Sequence, residues 1–566
     1  MNSANPVRLP HHASAGRTRS KPAPGPRAEK GRIAFLRLKV HADAFRYDPL
    51  GYLQAVAWRS RGLRLRSHNR IASLAGRSSH AYDLWIARDE PEAMAALPRS
   101  VDGTRRILGV IDCRHGVEGL DATLASFPIG SSFVLLGGPK VDGVPRVERP
   151  ADLAQFVDSS AQWLCILNAG DVLAQSAIDI YAAAAEQADT SLVIYSDDDL
   201  VGADGLRLEP FFKPDWNPDL FQHHDFVSGS AIVKVEAGVV GDLPEQDWAH
   251  VLVSRAAAVG GEPVHLPVVL HHRKARPAPV VPAKPAQPIL ANPPPLTAIV
   301  PTRNHVQLLR TCIEGLSRAD YPNVETIVID NGSDDPEAIA YLRQLEADGT
   351  NVLSLPGRFN FSLLNNEGVK RARSEMLCFL NNDVEMLEDS DWLSLLVRQA
   401  MRPDIGAVGA RLLYPDRTVQ HAGVCTGIGG GAAHAHRFQG ADESGYFERA
   451  RLPQRVSAVT AACLVVAKEK FLAVGGFDEE EFPVAFNDVD LCLKLNERGW
   501  QSFYEPRATL IHHESKSRGN DAAKNNRARF AGELAALKRK WKTDMRRDPY
   551  HHPHLSPFCE QFLLAV

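Results

Sequence analysis

The chain has 566 residues, of which 44% are hydrophobic and 23% charged, enough for two or three domains with substantial cores. Its formal net charge of −4 gives no electrostatic reason to expect a nucleic-acid partner, and none is predicted. Eight scattered cysteines without a close pair indicate buried thiols in a reducing compartment and argue against a cysteine-based zinc or disulfide framework.

The first 30 residues are basic and rich in proline, with few large apolar side chains. Such a segment buries too little surface to order itself, so a disordered tail is predicted over 1–30. No run approaches the roughly 18 apolar residues of a membrane span, and the N-terminus lacks the pattern of an export signal. The sequence therefore predicts a cytoplasmic protein without a membrane-spanning segment.

A proline-rich segment at 273–295 disfavours helices and strand ladders and is predicted to be a semi-rigid linker. It separates two halves of comparable length, 31–272 and 296–520. Each half opens on an apolar strand, RRILGVID and PLTAIVP respectively, and continues with alternating helical and strand patterns. This alternation predicts an α/β fold with a Rossmann-like, mostly parallel sheet in each half.

The two halves also match each other in sequence. The stretches CILNAGDVLA and CFLNNDVEML share a Cys-x-Leu-Asn pattern at the end of an apolar run. In the first half Asp247 precedes His271 by 24 positions, and Asp488 precedes His512 by the same 24 positions in the second half. Together these matches indicate an internal duplication.

Carboxylates follow two predicted strands of the second half. Asp330 and Asp383 hold the carboxyl ends of their strands, which face the crevice where open α/β sheets bind ligands. Two such groups suit a nucleotide with a hard cation, Mg²⁺ or Mn²⁺, because these ions prefer oxygen ligands and share them with phosphates. The alternative is that each Asp only forms a turn or caps a helix.

A further polar cluster begins a predicted helix near 487. Asn487, Asp488 and Asp490 precede or enter an apolar helical pattern, and an Asn or Asp at this place is also a common helix cap. His512 and His513 end a later strand. A histidine converging with Asp383 would complete a metal site, whereas a strand-end histidine is often only a hydrogen-bonded polar residue.

The ordered motifs of 296–520 resemble family 2 of the nucleotide-sugar glycosyltransferases. The resemblance implies a GT-A fold, an inverting transfer and a divalent metal ion held by an Asp-x-Asp type motif. The motifs that carry it are IVPTRN (299–304), VIDNGSDD (328–335), FLNNDVEM (379–386), TAACLVV (460–466), VGGFDEE (474–480), FNDVDLCLKLNERGW (486–500) and IHHESKSRG (511–519).

The resemblance also implies roles for single residues. Asp488 would be the general base, and Asp383 with His512 would bind the metal, although Asn381 replaces the first acidic residue of the metal motif. The predicted donor-binding residues are Pro301, Arg303, Asp330, Asn381, Asn382 and Asp383. The predicted acceptor-side or secondary residues are Asn487, Asp490, His421 and His513.

The first half resembles the same family but has lost its acidic residues at three places. Gly137 falls where the base-contacting Asp is expected, the metal motif reads Asn-Ala-Gly at 168–170, and Ala249 replaces the partner of Asp490. A degenerate domain is therefore predicted, with a role in scaffolding, acceptor placement or docking. The acidic run 197–199 is interpreted as a solvated turn, with metal binding as the alternative.

Two segments of the second half lie outside the motifs. The glycine-rich stretch within 418–450 is predicted to form a mobile lid over the acceptor, with His421, His434 and His436 as acceptor contacts or as ordinary loop residues. The segment 521–566 is predicted to be a helical extension. Its basic amphipathic helix packs on the catalytic domain or, alternatively, lies on a membrane surface.

The sequence thus predicts an inverting, metal-dependent hexosyltransferase that uses a dTDP- or UDP-sugar, with rhamnose as a subclass. The acceptor would be a lipid-linked or oligosaccharide precursor of a bacterial surface glycan of the cell envelope, such as O-antigen. The predicted location is the cytoplasm or, peripherally, the inner face of the cytoplasmic membrane. A non-catalytic nucleotide- or glycan-binding scaffold and a bifunctional transferase remain the alternatives.

Overall fold

The computed structural model of the chain describes residues 26–100, 107–157, 162–235, 237–284, 290–387, 391–514 and 527–566. Its α-helices within these ranges are α1 (Pro26–Tyr47), α2 (Pro49–Ser60), α3 (Arg64–Ala75), α4 (Ala81–Arg88), α5 (Glu90–Ala96), α6 (Leu120–Ser126), α7 (Ala177–Gln187), α8 (Pro218–Phe221), α9 (Ala237–Val240), α10 (Trp248–Val259), α11 (Val306–Ser317), α12 (Pro336–Ala347), α13 (Phe361–Arg371), α14 (Trp392–Ala400), α15 (Lys468–Ala473), α16 (Asn487–Glu497) and α17 (Arg527–Trp541).

The strands alternate with these helices over most of the chain. They are β1 (Ile107–Asp112), β2 (Ser132–Leu136), β3 (Arg146–Val147), β4 (Gln162–Asn168), β5 (Val172–Leu173), β6 (Val193–Val201), β7 (Arg207–Phe211), β8 (Ala231–Val235), β9 (Val264–Arg273), β10 (Leu296–Thr302), β11 (Val324–Asp330), β12 (Asn351–Ser354), β13 (Met376–Leu380), β14 (Val384–Met386), β15 (Ile405–Leu413), β16 (Val419–His421), β17 (Val424–Thr426), β18 (Ala432–His434), β19 (Gln454–Val456), β20 (Cys463–Ala467) and β21 (Gln501–His512).

The strands build two large sheets with the same topology. The first has the order β3-β2-β1-β4-β8-β6-β9-β5, and the second has the order β12-β11-β10-β13-β20-β15-β21-β14. In each order six of the eight strands run in one direction, and only β8 and β5, or β20 and β14, run against it. The predicted α/β class with two tandem, mostly parallel sheets is confirmed.

Buried apolar residues cover both faces of the second sheet. Along β10, Ala298 and Val300 belong to one core cluster, whereas Ile299 between them belongs to the cluster on the opposite face. A strand covered on both faces needs apolar residues at every position, which explains the uninterrupted apolar run at its start. All eight cysteines are buried and free, as the sequence predicted.

Five helices, α1 to α5, precede the first sheet, and the sequence reading did not anticipate them. Residues 26–30 lie in α1, so the prediction of a disordered tail is wrong for these five; residues 1–25 of that tail lie outside the described ranges. Trp85 of α4 is 1% exposed and packs edge-on against Phe212 of the first domain and His554 near the C-terminus. The N-terminal helical segment therefore contacts both the first domain and the C-terminal segment.

The semi-rigid linker over 273–295 stays a prediction, and its first residue, Arg273, belongs to β9. Strand β9 ends at Arg273 and β10 begins at Leu296, and the described residues between them, 274–284 and 290–295, contain no helix or strand. Residues 285–289 lie outside the described ranges.

The two domains contact each other directly. Asp219 of the first domain lies 2.6 Å from Nη1 of Arg402 and 2.9 Å from Nε of Arg455, both of the second domain. The side chain of Asp219 is only 8% exposed, so this ion pair is largely shielded from water. Removing one partner of such a pair leaves an uncompensated buried charge. Separation of the two domains would therefore leave Asp219 without these two partners.

Of the predicted helical extension 521–566, residues 521–526 lie outside the described ranges. Within the described part, α17 is helical and 542–566 contains no named helix or strand, so the prediction agrees with the described residues only in part. Ala536, Leu537 and Trp541 of α17 are buried in the core of the second domain. Packing on that domain, the favoured alternative, is therefore confirmed. Among the helices of the described ranges, none has the length and apolar character required to cross a bilayer.

Candidate functional site

Three neighbouring parallel strands of the second sheet end at the predicted site. Asn382, just after β13, donates from Nδ2 to Oγ1 of Thr302 at the end of β10, at 2.9 Å. Asp330 ends β11, and its Oδ1 accepts both the backbone N–H and the hydroxyl of Ser333, at 2.9 and 2.6 Å. The carboxylate of Asp330 therefore fixes the following turn, as one alternative predicted, while its contact with a nucleotide remains a prediction.

Asp383 and His512, which the sequence predicted to converge, lie in contact. Val384 is paired with His512 in the β14–β21 ladder, which brings the preceding Asp383 beside the imidazole. Oδ1 of Asp383 is 3.0 Å from Nε2 of His512, and the two residues are 3% and 5% exposed. Nδ2 of Asn381 lies 3.2 Å from the same ring nitrogen. Three predicted residues thus meet at one imidazole nitrogen.

The other ring nitrogen of His512 is held by Gln420 of β16. Nδ1 of His512 lies 2.7 Å from Oε1 of Gln420, and Nε2 of Gln420 lies 3.2 Å from Oε2 of Glu514. Because an ionised carboxylate only accepts hydrogen bonds, the amide nitrogen of Gln420 faces Glu514 and its oxygen faces His512. His512 therefore donates from Nδ1, and its neutral form presents a lone pair at Nε2 toward Asp383.

Glu514 is itself fixed as a charged acceptor. Burial tends to raise its pKa, but Arg437 at 3.7 Å and the hydroxyl of Tyr414 at 3.0 Å outweigh burial and hold the pKa of Glu514 below its usual value. A carboxylate that stays ionised keeps the amide of Gln420 in one orientation. The chain from Glu514 through Gln420 therefore sets the tautomer of His512.

A cavity of about 280 Å³ lies beside the His512 contact. Asn381 and His512 line one part of it, and Asp488 of α16 lines another. Asp488 accepts the backbone N–H of Ala461 at Oδ2, 3.1 Å away, and that of Val489 at Oδ1, 2.9 Å away. These contacts orient the half-buried carboxylate at the cavity wall. The predicted base and the predicted metal ligand His512 thus share one cavity.

Two residues predicted as acceptor-side or secondary groups, Asp490 and His421, are buried and do not line this cavity. Asp490 is 0% exposed and accepts from Nε1 of Trp541 at 2.8 Å, with Lys540 at the same distance. His421 is 0% exposed, and its Nδ1 lies 2.8 Å from Nδ1 of His434. Burial, with His434 as the second cause, lowers the pKa of His421 well below its usual value.

The remaining predicted residues divide between the cavity and its surroundings. Asn487 lines the cavity and donates to the carbonyl of Val484 at 2.9 Å. His513 pairs with Glu385 at 2.7 Å on the edge of the sheet and does not line the cavity. Pro301 is buried near the end of β10, and Arg303 is exposed just beyond it.

The segment 418–450, predicted as a lid, is built into the fold. It forms β16, β17 and β18, and His436 within it is only 1% exposed. Its backbone bonds to the C-terminal segment, with N–H of Gly429 on the carbonyl of Pro557 at 2.8 Å and N–H of His436 on that of Glu560 at 2.7 Å. An acceptor contact through His436 is therefore wrong, and His434 is the histidine of this segment that lines the cavity.

Sequence reasoning missed Gln420, Glu514 and Arg437. Glu514 carries a signal, because it directly follows the two histidines that end β21. Gln420 and Arg437 carry none, since they lie 92 and 75 positions before His512 and reach the site only through the sheet and the adjoining loop.

The corresponding region of the first domain keeps the backbone but not the site. Strand pairing places Asp112 opposite Leu136 as it places Pro301 opposite Ile329, so Gly137 takes the place of Asp330. Leu173 lies opposite His271 as Val384 lies opposite His512, so Val172 precedes that pair where the second domain has Asp383. His271 is 0% exposed and bonds to Tyr181 at 3.0 Å. A cavity of about 730 Å³ nevertheless remains there, lined by Arg114, Asn168, Asp171, Asp247 and Arg273 among others.

The acidic run 197–199 is not a solvated turn, and that interpretation is wrong. All three carboxylates lie within β6 and are 0% exposed. Asp197 contacts His265 and His552, Asp198 contacts Lys213 and Arg276, and Asp199 contacts Arg207 and His272 (2.5–3.0 Å). The turn reading failed because each carboxylate has a basic partner far away in sequence.

The chain matches one family model and is similar in sequence to two curated bacterial proteins. Residues 297–424 match the family model described as glycosyl transferase family 2. The chain is 35% identical over 449 residues to the uncharacterized protein y4gI of Sinorhizobium fredii (strain NBRC 101917 / NGR234), covering 71% of this chain and 49% of that protein. It is 34% identical over 442 residues to the O-antigen biosynthesis protein RfbC of Myxococcus xanthus, covering 71% and 34%.

The chain thus spans about half or less of the length of these curated relatives. Among solved structures, it is similar to the mannosyltransferase PcManGT of Pyrobaculum calidifontis in complex with GDP-Man and Mn²⁺, with a TM-score of 0.34 and 19% identity. That similarity covers 46% of this chain and 68% of the other.

Proposed function

Because residues 297–424 carry a domain of glycosyl transferase family 2, we propose that the chain is a glycosyltransferase that moves a sugar from a nucleoside-diphosphate donor to an acceptor hydroxyl. The observation that carries this proposal is the convergence of Asn381, Asp488 and His512 on one cavity beside the buried Asp383–His512 contact. Pro301, Arg303, Asp330 and Asn382, at the adjoining strand ends, are the proposed nucleotide contacts.

The contact between Asp383 and His512 fits a divalent cation. Since Oε1 of Gln420 accepts the hydrogen bond from Nδ1–H, a neutral His512 directs the lone pair of Nε2 at a carboxylate oxygen only 3.0 Å away. Two lone pairs at that distance repel unless a proton or a cation lies between them. We propose Asp383 and His512 as ligands of Mn²⁺ or Mg²⁺, which would neutralise the leaving diphosphate.

Asp488 is proposed as the general base. An inverting transfer is a single displacement at the anomeric carbon, in which the acceptor hydroxyl must lose its proton as the new bond forms. Asp488 lies on the cavity wall, and the N–H groups of Ala461 and Val489 hold both of its oxygens in place. The proton passes to this carboxylate, and the sugar leaves the diphosphate with inversion.

The biological setting is proposed from the relatives. A name that refers to O-antigen biosynthesis supports transfer to a lipid-linked or oligosaccharide precursor of a bacterial surface glycan in the cell envelope. The motif resemblance suggests a dTDP- or UDP-sugar, with rhamnose as a subclass. The proposed location is the cytoplasm or the inner face of the cytoplasmic membrane, where nucleotide sugars meet such acceptors.

Calorimetric titration of the full chain with UDP, dTDP and GDP, with and without Mn²⁺, tests the proposal. We expect one nucleotide to bind with one-to-one stoichiometry only in the presence of the metal. Asp383→Ala removes the proposed metal ligand and should abolish that binding, while Asp171→Ala in the first domain is the matched control and should leave it unchanged.

Failure of all three nucleotides to bind would contradict the donor class and favour a non-catalytic scaffold. Two nucleotide-binding sites per chain, one of them insensitive to Asp383→Ala, would instead favour the bifunctional alternative. The cavity of about 730 Å³ in the first domain is the place for such a second site. We otherwise propose that the first domain serves as a scaffold or places the acceptor.

A further inference from the structure

A cluster of three ligand-type side chains lies in the first domain, remote in sequence from the proposed transfer site. Asp197 of β6, His265 of β9 and His552 of the C-terminal segment each offer one ligand atom, and these atoms lie within 4.8 Å of one another. Nε2 of His265 is 3.0 Å from Oδ1 of Asp197, and Nε2 of His552 is 2.8 Å from Oδ2. The three side chains are at most 2% exposed.

We propose that Asp197, His265 and His552 bind a divalent transition-metal ion of the zinc type, which fastens the C-terminal segment to the first domain. Two imidazole nitrogens and one carboxylate are a common ligand set for such an ion. Neither the family domain nor the proposed sugar transfer involves these residues, since the domain match covers 297–424.

The contacts around His265 resemble those of a metal-bound histidine. Its Nδ1 lies 3.0 Å from Oδ1 of Asp215, and its ring stacks on Tyr195 with centres 4.7 Å apart. A carboxylate at Nδ1 favours a proton there, and in the neutral ring this leaves the lone pair of Nε2 facing Asp197. Asp215 is held in turn by Arg547 of the C-terminal segment. The outer contacts therefore aim the imidazole at Asp197.

The contact between His552 and Asp197 has an unusual geometry. Nε2 and Oδ2 are buried and only 2.8 Å apart, but their alignment is poor for a hydrogen bond. Ligands around a tetrahedral ion are separated by about 3.3 Å, given metal–ligand bonds of 2.0–2.1 Å. The two nitrogen–oxygen pairs at 3.0 and 2.8 Å, one to each oxygen of Asp197, lie within a few tenths of an ångström of that spacing, and the three ligand groups lie within 4.8 Å of one another.

Coordination also requires a specific tautomer of His552. Its Nδ1 lies 3.1 Å from the backbone N–H of His554, which places the proton of the neutral ring on Nε2. Binding of the neutral ring through Nε2 requires the proton to move from Nε2 to Nδ1, so the contact with the N–H of His554 is given up. The ion would replace a contact without hydrogen-bond geometry by two strong bonds, which is consistent with a net gain on binding.

The position of the cluster indicates its role. His552 belongs to a segment that also contacts the second domain, where Asp548 accepts the N–H of Thr426 at 2.6 Å and the carbonyl of Tyr550 accepts from Arg449 at 2.8 Å. An ion held by two strands of the first domain and by His552 would therefore link both domains through the C-terminal segment.

Metal analysis of the full chain after dialysis, followed by titration with Zn²⁺ and with Co²⁺, tests the site. We expect one tightly bound Zn²⁺ per chain and visible absorption of tetrahedral Co²⁺. Asp197→Asn, which keeps the side-chain volume, and His552→Gln should each lose the ion. His250→Gln changes a half-exposed histidine of the same domain, and Asp383→Ala changes the proposed transfer site; both should retain it.

A second readout is thermal unfolding with Zn²⁺ or with a chelator. The chelator should lower the Tm of the wild type by several degrees and leave that of Asp197→Asn unchanged. A wild-type chain that binds no Zn²⁺ and unfolds at the same temperature with and without chelator would overturn the proposal and leave a hydrogen-bonded cluster. Zn²⁺ that is bound but also lost in Asp383→Ala would overturn it as well, because the ion would then occupy the other site.

Discussion

The two domains share one topology but differ in what their strand ends carry. At equivalent positions the second domain has Asp330 where the first has Gly137, and Glu514 where the first has Arg273. The equivalent of His512 is buried and bonded to a tyrosine in the first domain. The shared sheet thus does not require these strand-end residues, and the chemistry depends on a few residues that can be lost without loss of the fold.

The first domain carries a run of charged residues in the interior of its sheet. The three consecutive carboxylates of β6 are fully buried and paired with basic groups, two of which, Arg276 and His552, lie beyond β9 in the chain. Breaking a buried pair typically costs about 3–5 kcal/mol. These buried pairs connect the first domain to Arg276 of the linker and to His552 of the C-terminal segment.

The largest expected effect comes from matched substitutions of the two helix-start carboxylates. Asp488→Asn removes the proposed base and should lower turnover by about 10²- to 10⁴-fold with little change in donor binding. Asp247→Asn, at the equivalent place in the first domain, should leave turnover unchanged. Steady-state kinetics and nucleotide calorimetry on both variants provide the measurement.

A comparable loss of turnover in Asp247→Asn would contradict the assignment of transfer to the second domain alone. It would indicate that both domains take part in transfer. Wild-type turnover in Asp488→Asn would instead reject Asp488 as the base.

The second prediction concerns pH, because buried histidines lie where the C-terminal segment meets the second domain. Burial, with Arg449 as the second cause, lowers the pKa of both His436 and His551 to about 3. Below the unfolded value of about 6.5, the unfolded chain binds more protons than the folded one, so stability falls with falling pH. Each such histidine costs about 1.4 kcal/mol per pH unit until its folded-state pKa is reached.

Urea unfolding at pH 7 and pH 5, followed by tryptophan fluorescence, measures this loss. We expect a clearly lower midpoint at pH 5 and joint unfolding of the two domains, since the histidines lie at their connection. His436→Gln removes one titrating group and should reduce the pH dependence. Equal midpoints at both pH values would contradict the assignment of these histidines as neutral in the folded state.

The third prediction concerns the residue that orients His512. Gln420→Leu keeps the shape roughly but removes the acceptor for Nδ1, and loss of such a contact typically weakens metal affinity by about 10- to 100-fold. Calorimetry with Mn²⁺ measures the affinity, and nitrogen NMR shifts of His512 in the metal-free chain report its tautomer. An unchanged tautomer and an unchanged affinity would show that Gln420 has no positioning role.

Much of the fold could be predicted from the sequence, because the apolar runs of the strands and their alternation with helical patterns are both local features. Apolar runs at 107–112 and 296–302 are long enough to be strands, and alternation with helical patterns fixes the α/β class. The convergence of Asp383 with His512 was also predictable, since both follow apolar strands. The five N-terminal helices were missed because no motif or repeat marks them.

Side-chain direction was the part that the sequence did not reveal. Asp490 and His421 lie within two or three positions of site residues, yet both point into the protein, toward Trp541 and His434. Gln420 reaches His512 although it is 92 positions away. Such contacts depend on how distant strands and helices are placed, which local patterns do not encode.

The smallest expected effect again compares equivalent positions, now two asparagines. Nδ2 of Asn381 lies 3.2 Å from Nε2 of His512, whereas Asn168 ends β4 in the first domain and is exposed. Asn381→Ala leaves Asp383 and His512 in place, so Mn²⁺ affinity should fall by only about threefold. The corresponding loss of binding free energy is smaller than the roughly 1.4 kcal/mol of a tenfold change. Asn168→Ala should have no effect on the same calorimetric measurement. A loss in Asn381→Ala as large as that in Asp383→Ala would mean that the amide oxygen is itself a ligand, and that the second domain keeps its metal motif in a form with one amide in place of the usual first carboxylate.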